Sequence, residues 1–214
     1  FYAYLTQVGR FESNPMTLVM EEMDEAIDTN PSRREISLSA MQSFLHDVHH
    51  PLDHAVICTL LKTGMRVGEL CNLDLRDVVL TDQTPISNLT DGDVSPRTQL
   101  DGRGPSIYVA AEPTAGEVVA GEERSASNKR KRSTIVPVDE ELETVLCRWA
   151  AVRPATRSPA APLFVSTSGS WGERLTPDMV HHIVERHASD AGWHRSGGGA
   201  DENVTPHYFR HFFT

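Results

Sequence analysis

The 214 residues, 39% of them hydrophobic, suffice to bury the core of one full domain and part of a second, which excludes a disordered chain. No apolar run approaches the ~20 residues that span a bilayer, and the N-terminus lacks the basic stretch and apolar core of a signal peptide. We therefore expect a cytoplasmic protein without a membrane partner. The net charge of −10 counts against nucleic-acid binding, because domains of that class are usually basic.

The basic residues are unusual in composition and in placement. Only three of the twenty are lysines, at positions 62, 129 and 131, and the rest are arginines. An acidic, lysine-poor surface suits a protein that works in concentrated salt, where acidic side chains maintain solubility, so we predict a halophilic source. The sequence Lys129-Arg130-Lys131-Arg132 is a dense positive segment, so a contact surface can be basic on an acidic chain.

The first part of the chain indicates the end of one domain and a linker. Residues 1–9 have the pattern of a helix end, and residues 19–29 are strongly acidic. Asn14-Pro15 and Asn30-Pro31 are turn signals. We predict that residues 1–36 end an N-terminal helical domain and that a second domain occupies residues 37–214.

Two helices are predicted at the start of the second domain. Ser39 and Gln42 form a capping-box pattern ahead of apolar residues at helical spacing. Pro51 begins the second helix, which is apolar nearly all round, as is typical of a core helix, and Gly64 is placed to cap its end. A short helix is expected at residues 66–73.

The remainder of the chain mixes strands and helices. Residues 106–110 and 134–137 are predicted strands of one small sheet, separated by a long insertion whose residues 111–128 are loose and acidic. An apolar face at helical spacing predicts a helix around four residues: Leu142, Val145, Leu146 and Trp149. Thr176-Pro177 and Thr205-Pro206 each combine an N-cap with proline at the first helical position. These elements predict an α+β, mainly helical domain.

Three separated clusters carry residues suited to chemistry. In the first, Thr63 to Leu70, Arg66 follows a helix end and Glu69 lies three residues later, a spacing at which the two side chains pair. By itself this pattern is more often a surface ion pair. The second cluster, residues 128–137, is a lysine-rich turn that runs into a strand, and such turns are usually just solvated.

The third cluster, residues 205–211, has the sequence Thr-Pro-His-Tyr-Phe-Arg-His. It places His207, Arg210 and His211 in the first two turns of a helix, where free N–H groups and the helix dipole favour an anion. Two imidazoles and a guanidinium at that end suit a phosphate. Histidines at i and i+4 are also spaced to bind a metal, so this pattern alone leaves both ligands open.

In this order, the three clusters resemble the tyrosine recombinase (phage integrase) family. Its catalytic domain carries an arginine in a TGxRxxEL segment, a lysine in a β-hairpin turn and HxxRH at a helix start. The resemblance covers about residues 37–214, and residues 1–15 more loosely resemble the last helix of the family's core-binding domain. It implies the recombinase catalytic core with a small antiparallel sheet.

The resemblance also implies an activity, site-specific DNA recombination or integration by transesterification. A tyrosine attacks a phosphodiester to form a 3′-phosphotyrosyl bond, and a free 5′-hydroxyl of the partner duplex reverses the attack. The covalent 3′-phosphotyrosyl intermediate conserves the energy of the phosphodiester bond, so the resemblance implies neither a cofactor nor a metal ion. The expected partner is double-stranded DNA, with a tetramer acting on two duplexes.

The family's roles carry over to matching residues of this chain. Arg66 and Arg210 are expected to grip the scissile phosphate and to stabilise its transition state, because a guanidinium donates two hydrogen bonds and stays charged. His207 is expected to assist as general acid or base. His211 is expected to orient the site from behind, and Glu69 to hold the helix that follows Arg66.

The family's lysine lies about eight residues before the proline at the end of the hairpin strand. Counting back from Pro137 reaches Lys129, which would protonate the leaving 5′ oxygen. Lys131 is the alternative, because hairpin length varies and the insertion before it is long. Arg130, Lys131 and Arg132 are predicted to contact DNA.

The nucleophile has no counterpart in these residues. The family continues past HxxRH with a further histidine or tryptophan and then the nucleophilic tyrosine, whereas this sequence ends at Thr214. None of Tyr2, Tyr4, Tyr108 and Tyr208 fits the nucleophile's place. We therefore expect the 214 residues to bind DNA without cleaving it.

Two other interpretations are retained. One is a non-catalytic DNA-binding or regulatory relative that keeps only the phosphate grip. The other is a metal-dependent hydrolase, for which the candidate ligands are two histidine groups: His46, His49, His50 and His54, or His181, His182 and His187. The second is less favoured, because these histidines lie on predicted helix surfaces without an ordered carboxylate partner.

Overall fold

The structure is a computed structural model that describes residues 34–90, 94–199 and 202–213, without the side chains of His211 and Phe213. The predicted helix end and linker at residues 1–36 therefore lie almost wholly outside the described residues. No helix of the described residues has both the length and the apolar character needed to cross a bilayer.

Six α-helices are described, and their bounds follow in chain order: α1 (Leu38–Asp47), α2 (Pro51–Thr63), α3 (Val67–Cys71), α4 (Glu140–Val152), α5 (Pro177–Asp190) and α6 (Pro206–Phe213). The predicted helix starts at Pro51, Pro177 and Pro206 are confirmed. Gly64 ends α2 with φ +59°, a left-handed conformation that glycine adopts without a steric cost, so the predicted C-cap is also confirmed.

The start of α1 corrects the predicted capping box. Ser37, not Ser39, is the N-cap, and its Oγ accepts a hydrogen bond from the backbone N–H of Ala40 at 3.2 Å. Ser39 lies inside the helix. Ser39 has Gln42 three residues later and so matches the capping-box pattern, whereas Ser37 has Ala40 there, so the pattern favoured the wrong serine.

A three-stranded antiparallel sheet lies between the helical segments. Its strands are β1 (Val78–Val79), β2 (Ser106–Val109) and β5 (Thr134–Pro137), in the order β1-β2-β5. The predicted pairing of the second and third of these strands is confirmed, with Tyr108 opposite Ile135. The sequence did not predict β1, because two residues are too few to show a period.

The long insertion is not wholly irregular. It contains a two-stranded hairpin, β3 (Val118–Val119) and β4 (Glu122–Glu123), joined by Ala120 and Gly121, which both have positive φ. Two positive-φ residues match the tight turn that suits the twist of a hairpin. The sequence pattern missed this element because each strand has only two residues, too few to show a period.

The helix α2 occupies the centre of the core and contacts α4 and α6. Its buried residues cover nearly the whole circumference, as the apolar pattern predicted. Phe209 of α6 is fully buried and packs against Phe44 at 6.1 Å between ring centroids, and Phe44 stacks on Trp193 at 4.8 Å. Burying a ring of this size contributes about 2–3 kcal/mol, which fixes α6 and the residues beside Phe209.

Candidate functional site

A cavity of about 340 Å³ opens where four parts of the fold meet: the start of α3, the loop before β5, the start of α5 and the start of α6. Its charged and imidazole side chains are five: Arg66, Lys129, His181, His207 and Arg210. Residues from all three sequence clusters thus line one cavity, although up to 144 positions separate them (Arg66 to Arg210).

The lining of this cavity has a one-sided charge. None of the described residues that line it is an aspartate or a glutamate, although the chain as a whole carries a net charge of −10. A concave site lined by one sign of charge attracts ligands of the opposite sign. The cavity is therefore suited to an anion.

Arg66 is positioned by a turn and a buried carboxylate. It is the N-cap of α3, two residues after the left-handed Gly64, and its side chain is 43% exposed. Glu69, fully buried, accepts hydrogen bonds from the backbone N–H of Arg66 at 2.9 Å and from its Nη1 at 3.1 Å. Glu69 therefore fixes both the backbone and the guanidinium of Arg66.

Arg210 and His207 reach the cavity from the first two turns of α6. Arg210 is half-buried, and its Nη1 donates a hydrogen bond to the carbonyl oxygen of Gly64. This bond joins the start of α6 to the turn that precedes Arg66. His207 is exposed at the cavity, and the side chain of His211 lies outside the described structure.

Gly68 allows the loop before β5, which carries Lys129, to approach α3 closely. A Cβ atom at this position would overlap the carbonyl oxygen of Ser127, so a side chain there would push the loop away. Lys129 follows two residues later and lines the cavity, with φ +51°. Lys131 is exposed and does not line it, so the geometry supports Lys129, although the choice of catalytic lysine stays a prediction.

Arg130 points inward. Its Nε and Nη2 each donate to Glu69, at 2.9 Å to Oε1 and 2.9 Å to Oε2, and its side chain is 19% exposed. Its predicted role as a DNA contact stays a prediction, and this orientation does not support it. Lys131 and Arg132 are both exposed.

The Glu69 carboxyl is charged in this setting. Burial alone would raise its pKa, but the hydrogen bonds from Arg130 and from the backbone of Arg66 outweigh burial and lower the pKa below its usual value. The same contact with Glu69 raises the pKa of Arg130. One buried carboxylate thus neutralises two guanidinium groups in part, from behind the cavity.

His181 is a cavity residue that the sequence analysis named only as a candidate metal ligand, not as part of the phosphate site. It lies four residues after Pro177, and both line the cavity. The available signal was the cap at Thr176, which fixes the register of α5, but nothing local shows which face of α5 meets the Lys129 loop. His182 lines a different cavity, of about 500 Å³, with His50 and Arg186.

Two of the histidines that the metal-hydrolase interpretation places in one ligand group, His181 and His182, therefore line different cavities. Nδ1 of His50 and Nε2 of His187 lie 3.3 and 2.9 Å from the carboxylate of Asp53, away from His181. Within the described residues, no group of three or more histidine, cysteine, aspartate or glutamate side chains is placed to hold a metal ion.

Comparison with known proteins gives relatives of one kind. No family model matches the chain. It is 22% identical over 224 residues to a tyrosine recombinase XerC of Thermodesulfovibrio yellowstonii, covering 100% of this chain and 57% of the relative. It is 27% identical over 159 residues to a tyrosine recombinase XerC of Corynebacterium glutamicum, covering 74% and 35%. The chain thus spans little more than half of the first relative and about a third of the second.

Solved structures show the same fold. The integrase of transposon Tn1549, in complex with a circular intermediate DNA, matches with a TM-score of 0.63 and 20% identity, covering 99% of this chain and 61% of that chain. The XerA recombinase matches with a TM-score of 0.55 and 19% identity over 98% and 63%. The XerH site-specific recombinase bound to its difH substrate matches with a TM-score of 0.53 and 17% identity over 89% and 44%. In sequence this chain is similar to tyrosine recombinases, and it shares their fold.

Proposed function

We propose that this chain forms the catalytic-domain part of an enzyme for site-specific DNA recombination or integration. The observation that carries the proposal is the cavity itself, which gathers two arginines, a lysine and two histidines without a carboxylate in its described lining. A phosphodiester is the anion that such a set fits, because guanidinium forks match phosphate oxygens and stay charged.

In the proposed reaction, Arg66 and Arg210 hold the non-bridging oxygens of the scissile phosphate. A tyrosine oxygen attacks phosphorus and forms the 3′-phosphotyrosyl bond, while the bond from phosphorus to the 5′ oxygen breaks. Lys129 gives its proton to that leaving oxygen, and His207 assists proton transfer. A 5′-hydroxyl of the partner duplex then reverses these steps, and neither ATP nor a metal ion takes part.

We infer that neither of the two described tyrosines, Tyr108 and Tyr208, is the nucleophile. The guanidinium carbon of Arg97 lies 5.0 Å from the ring centroid of Tyr108, and the hydroxyl of Tyr208 donates to the carbonyl oxygen of Arg34 at 2.6 Å. Neither lines the cavity. A second candidate function is that of a non-catalytic DNA-binding relative, which would keep the phosphate grip without strand cleavage.

The phosphate grip can be tested on the 214 residues. Fluorescence anisotropy with a labelled duplex should give a Kd that rises about tenfold for Arg66→Ala and for Arg210→Ala, and each variant should reduce the salt slope by about one. Arg103→Ala is the matched control, because Arg103 is exposed and lies outside the cavity. Equal losses in all three variants would contradict a specific phosphate grip.

Catalysis can be tested on a longer form of the protein that carries a tyrosine nucleophile. A nicked suicide duplex should trap a covalent protein–DNA adduct, and Arg66→Ala or Arg210→Ala should slow adduct formation by about 10²–10³-fold. Absence of an adduct with the parent protein, together with DNA binding, would support the non-catalytic relative.

We further propose adaptation to high salt, a cytoplasmic location and a tetramer on two duplexes. The acidic, lysine-poor composition supports the first of these. The free energy of unfolding should then increase with added KCl, and indifference to KCl would refute it. Light scattering of the complex with two target duplexes would measure the assembly.

A further inference from the structure

The backbone at Lys129 is held in an unusual conformation. Its φ of +51° lies in the left-handed region, which costs a residue with a Cβ about 1 kcal/mol or more. Such a conformation persists only where neighbouring residues fix it. In this loop, the residues on both sides of Lys129 are anchored to the body of the domain.

The first anchor precedes Lys129. The side chain of Asn128 is 2% exposed and its Nδ2 donates to the carbonyl oxygens of Ala110 and Glu112, both at 2.8 Å. Its Oδ1 accepts from Nδ2 of Asn72 at 2.8 Å. Asn128 thus joins the loop to the end of β2 and to the residue that follows α3.

The second anchor follows Lys129. Arg130 places two parallel hydrogen bonds on the two oxygens of Glu69, the geometry in which a guanidinium and a carboxylate interact most strongly. Glu69 is fully buried and also binds the backbone N–H and guanidinium of Arg66. A single carboxylate therefore connects the loop that carries Lys129 to the residue that begins α3.

We propose that Arg130 is a positioning residue that sets the location of Lys129 in the cavity through its double hydrogen bond to Glu69. The inference rests on the proposed function of Lys129 as proton donor. A direct DNA contact fits Arg130 less well, because two of its donors are already engaged with Glu69. Arg132, two residues later, is exposed and carries the same charge on the same loop, so it supplies the matched control.

The small number of lysines makes the position of Lys129 directly measurable. Reductive methylation with ¹³C-formaldehyde labels the N-terminal amine and three lysines, Lys62, Lys129 and Lys131, which are the lysines of the chain. Lys129→Arg assigns the signal of interest. Spectra are recorded for the parent, Arg130→Gln and Arg132→Gln, each with and without a short DNA duplex, after thermal unfolding has shown that each variant is folded.

In the parent and in Arg132→Gln, the Lys129 signal should differ from that of exposed Lys131 and should move when DNA is added. In Arg130→Gln, it should move towards the Lys131 signal, and its response to DNA should fall at least about twofold. Equal Lys129 signals and DNA responses in Arg130→Gln and Arg132→Gln would overturn the inference. A parent in which DNA moves no Lys129 signal would instead overturn the proposed function.

A chemical test separates positioning from binding in a longer form that carries the nucleophile. Arg130→Gln should cleave a normal duplex about tenfold more slowly at saturating DNA, because the leaving oxygen needs a proton from Lys129. Replacing the bridging 5′ oxygen by sulfur gives a leaving group that needs no proton, so the loss should disappear, as it should for Lys129→Ala. A loss that persists with sulfur would overturn the inference.

If Arg130→Gln does not fold, Arg130→Lys replaces it in both experiments. This variant keeps the charge, but an ammonium cannot form the two parallel bonds to Glu69. The lysine introduced at position 130 is methylated as well and adds a fourth lysine signal. The same displacement of the Lys129 signal is expected, and a Lys129 signal unchanged from the parent would overturn the inference.

Discussion

Arginine is used in two different ways in two regions of this domain. In the cavity, Arg66 and Arg210 face a space whose described lining contains no carboxylate. In a buried cluster, Arg124 and Arg174 are 1% and 7% exposed and both bind Asp74, itself 1% exposed. Arg174 also binds Glu122 of β4, at 2.9 Å from Nε.

The difference lies in where the carboxylates are. In the buried cluster they face the guanidinium groups directly, so the charge is neutralised inside the protein and joins the β3–β4 hairpin to the segment after α3. At the cavity, Glu69 lies behind Arg66 and binds one side of it, which leaves the other side towards the cavity. A chain with a net charge of −10 can therefore present a cationic site, because local arrangement outweighs total charge.

The largest effect that tests this comparison is expected in the buried cluster. Arg124→Ala should lower the free energy of unfolding by about 3 kcal/mol, because it leaves Asp74 buried with fewer partners. Arg66→Ala should lower it by only about 1 kcal/mol or less, since Arg66 is partly exposed. Urea unfolding of both variants measures the difference. Similar losses would show that the two regions do not differ in this way.

A smaller effect with a pH signature is expected for Glu69→Gln. Glu69 has a lowered pKa in the folded protein, so its stabilisation is complete above the ordinary glutamate pKa of about 4.3 and is lost as pH falls through the lowered value. The parent should exceed the variant by about 2 kcal/mol at pH 7, and the gap should shrink below about pH 4. Urea unfolding at several pH values tests this, and a gap independent of pH would contradict it.

The smallest expected effect concerns the edge of the cavity. His181→Gln should raise the Kd for duplex DNA about threefold, the size of one modest hydrogen bond to phosphate. His182→Gln is the control on the adjacent position of α5, because His182 lines a different cavity. Anisotropy at fixed salt provides both values. An equal change of Kd in both variants would contradict the proposed contact between His181 and DNA.

Much of the fold followed from local sequence signals. The helix starts at Pro51, Pro177 and Pro206 and the strands that contain Tyr108 and Ile135 were predicted, because caps and strand propensity depend on residues close in sequence. The register that places Tyr108 opposite Ile135 was not predicted. Strand β1 and the β3–β4 hairpin were missed, because strands of two residues carry no readable period. The true N-cap of α1, Ser37, was missed because Ser39, with Gln42 three residues later, fits the capping-box pattern better.

In the candidate site, too, some features were predictable from local sequence and others were not. The sequence alone determined which residues are available, since Arg66, Lys129, His207 and Arg210 belong to recognisable segments of the chain. Only the tertiary structure decided that Lys129 rather than Lys131 lines the cavity, that Arg130 turns towards Glu69 and that His181 joins the site. Each of these depends on distances between segments far apart in the chain, which packing of the core sets and no local pattern encodes.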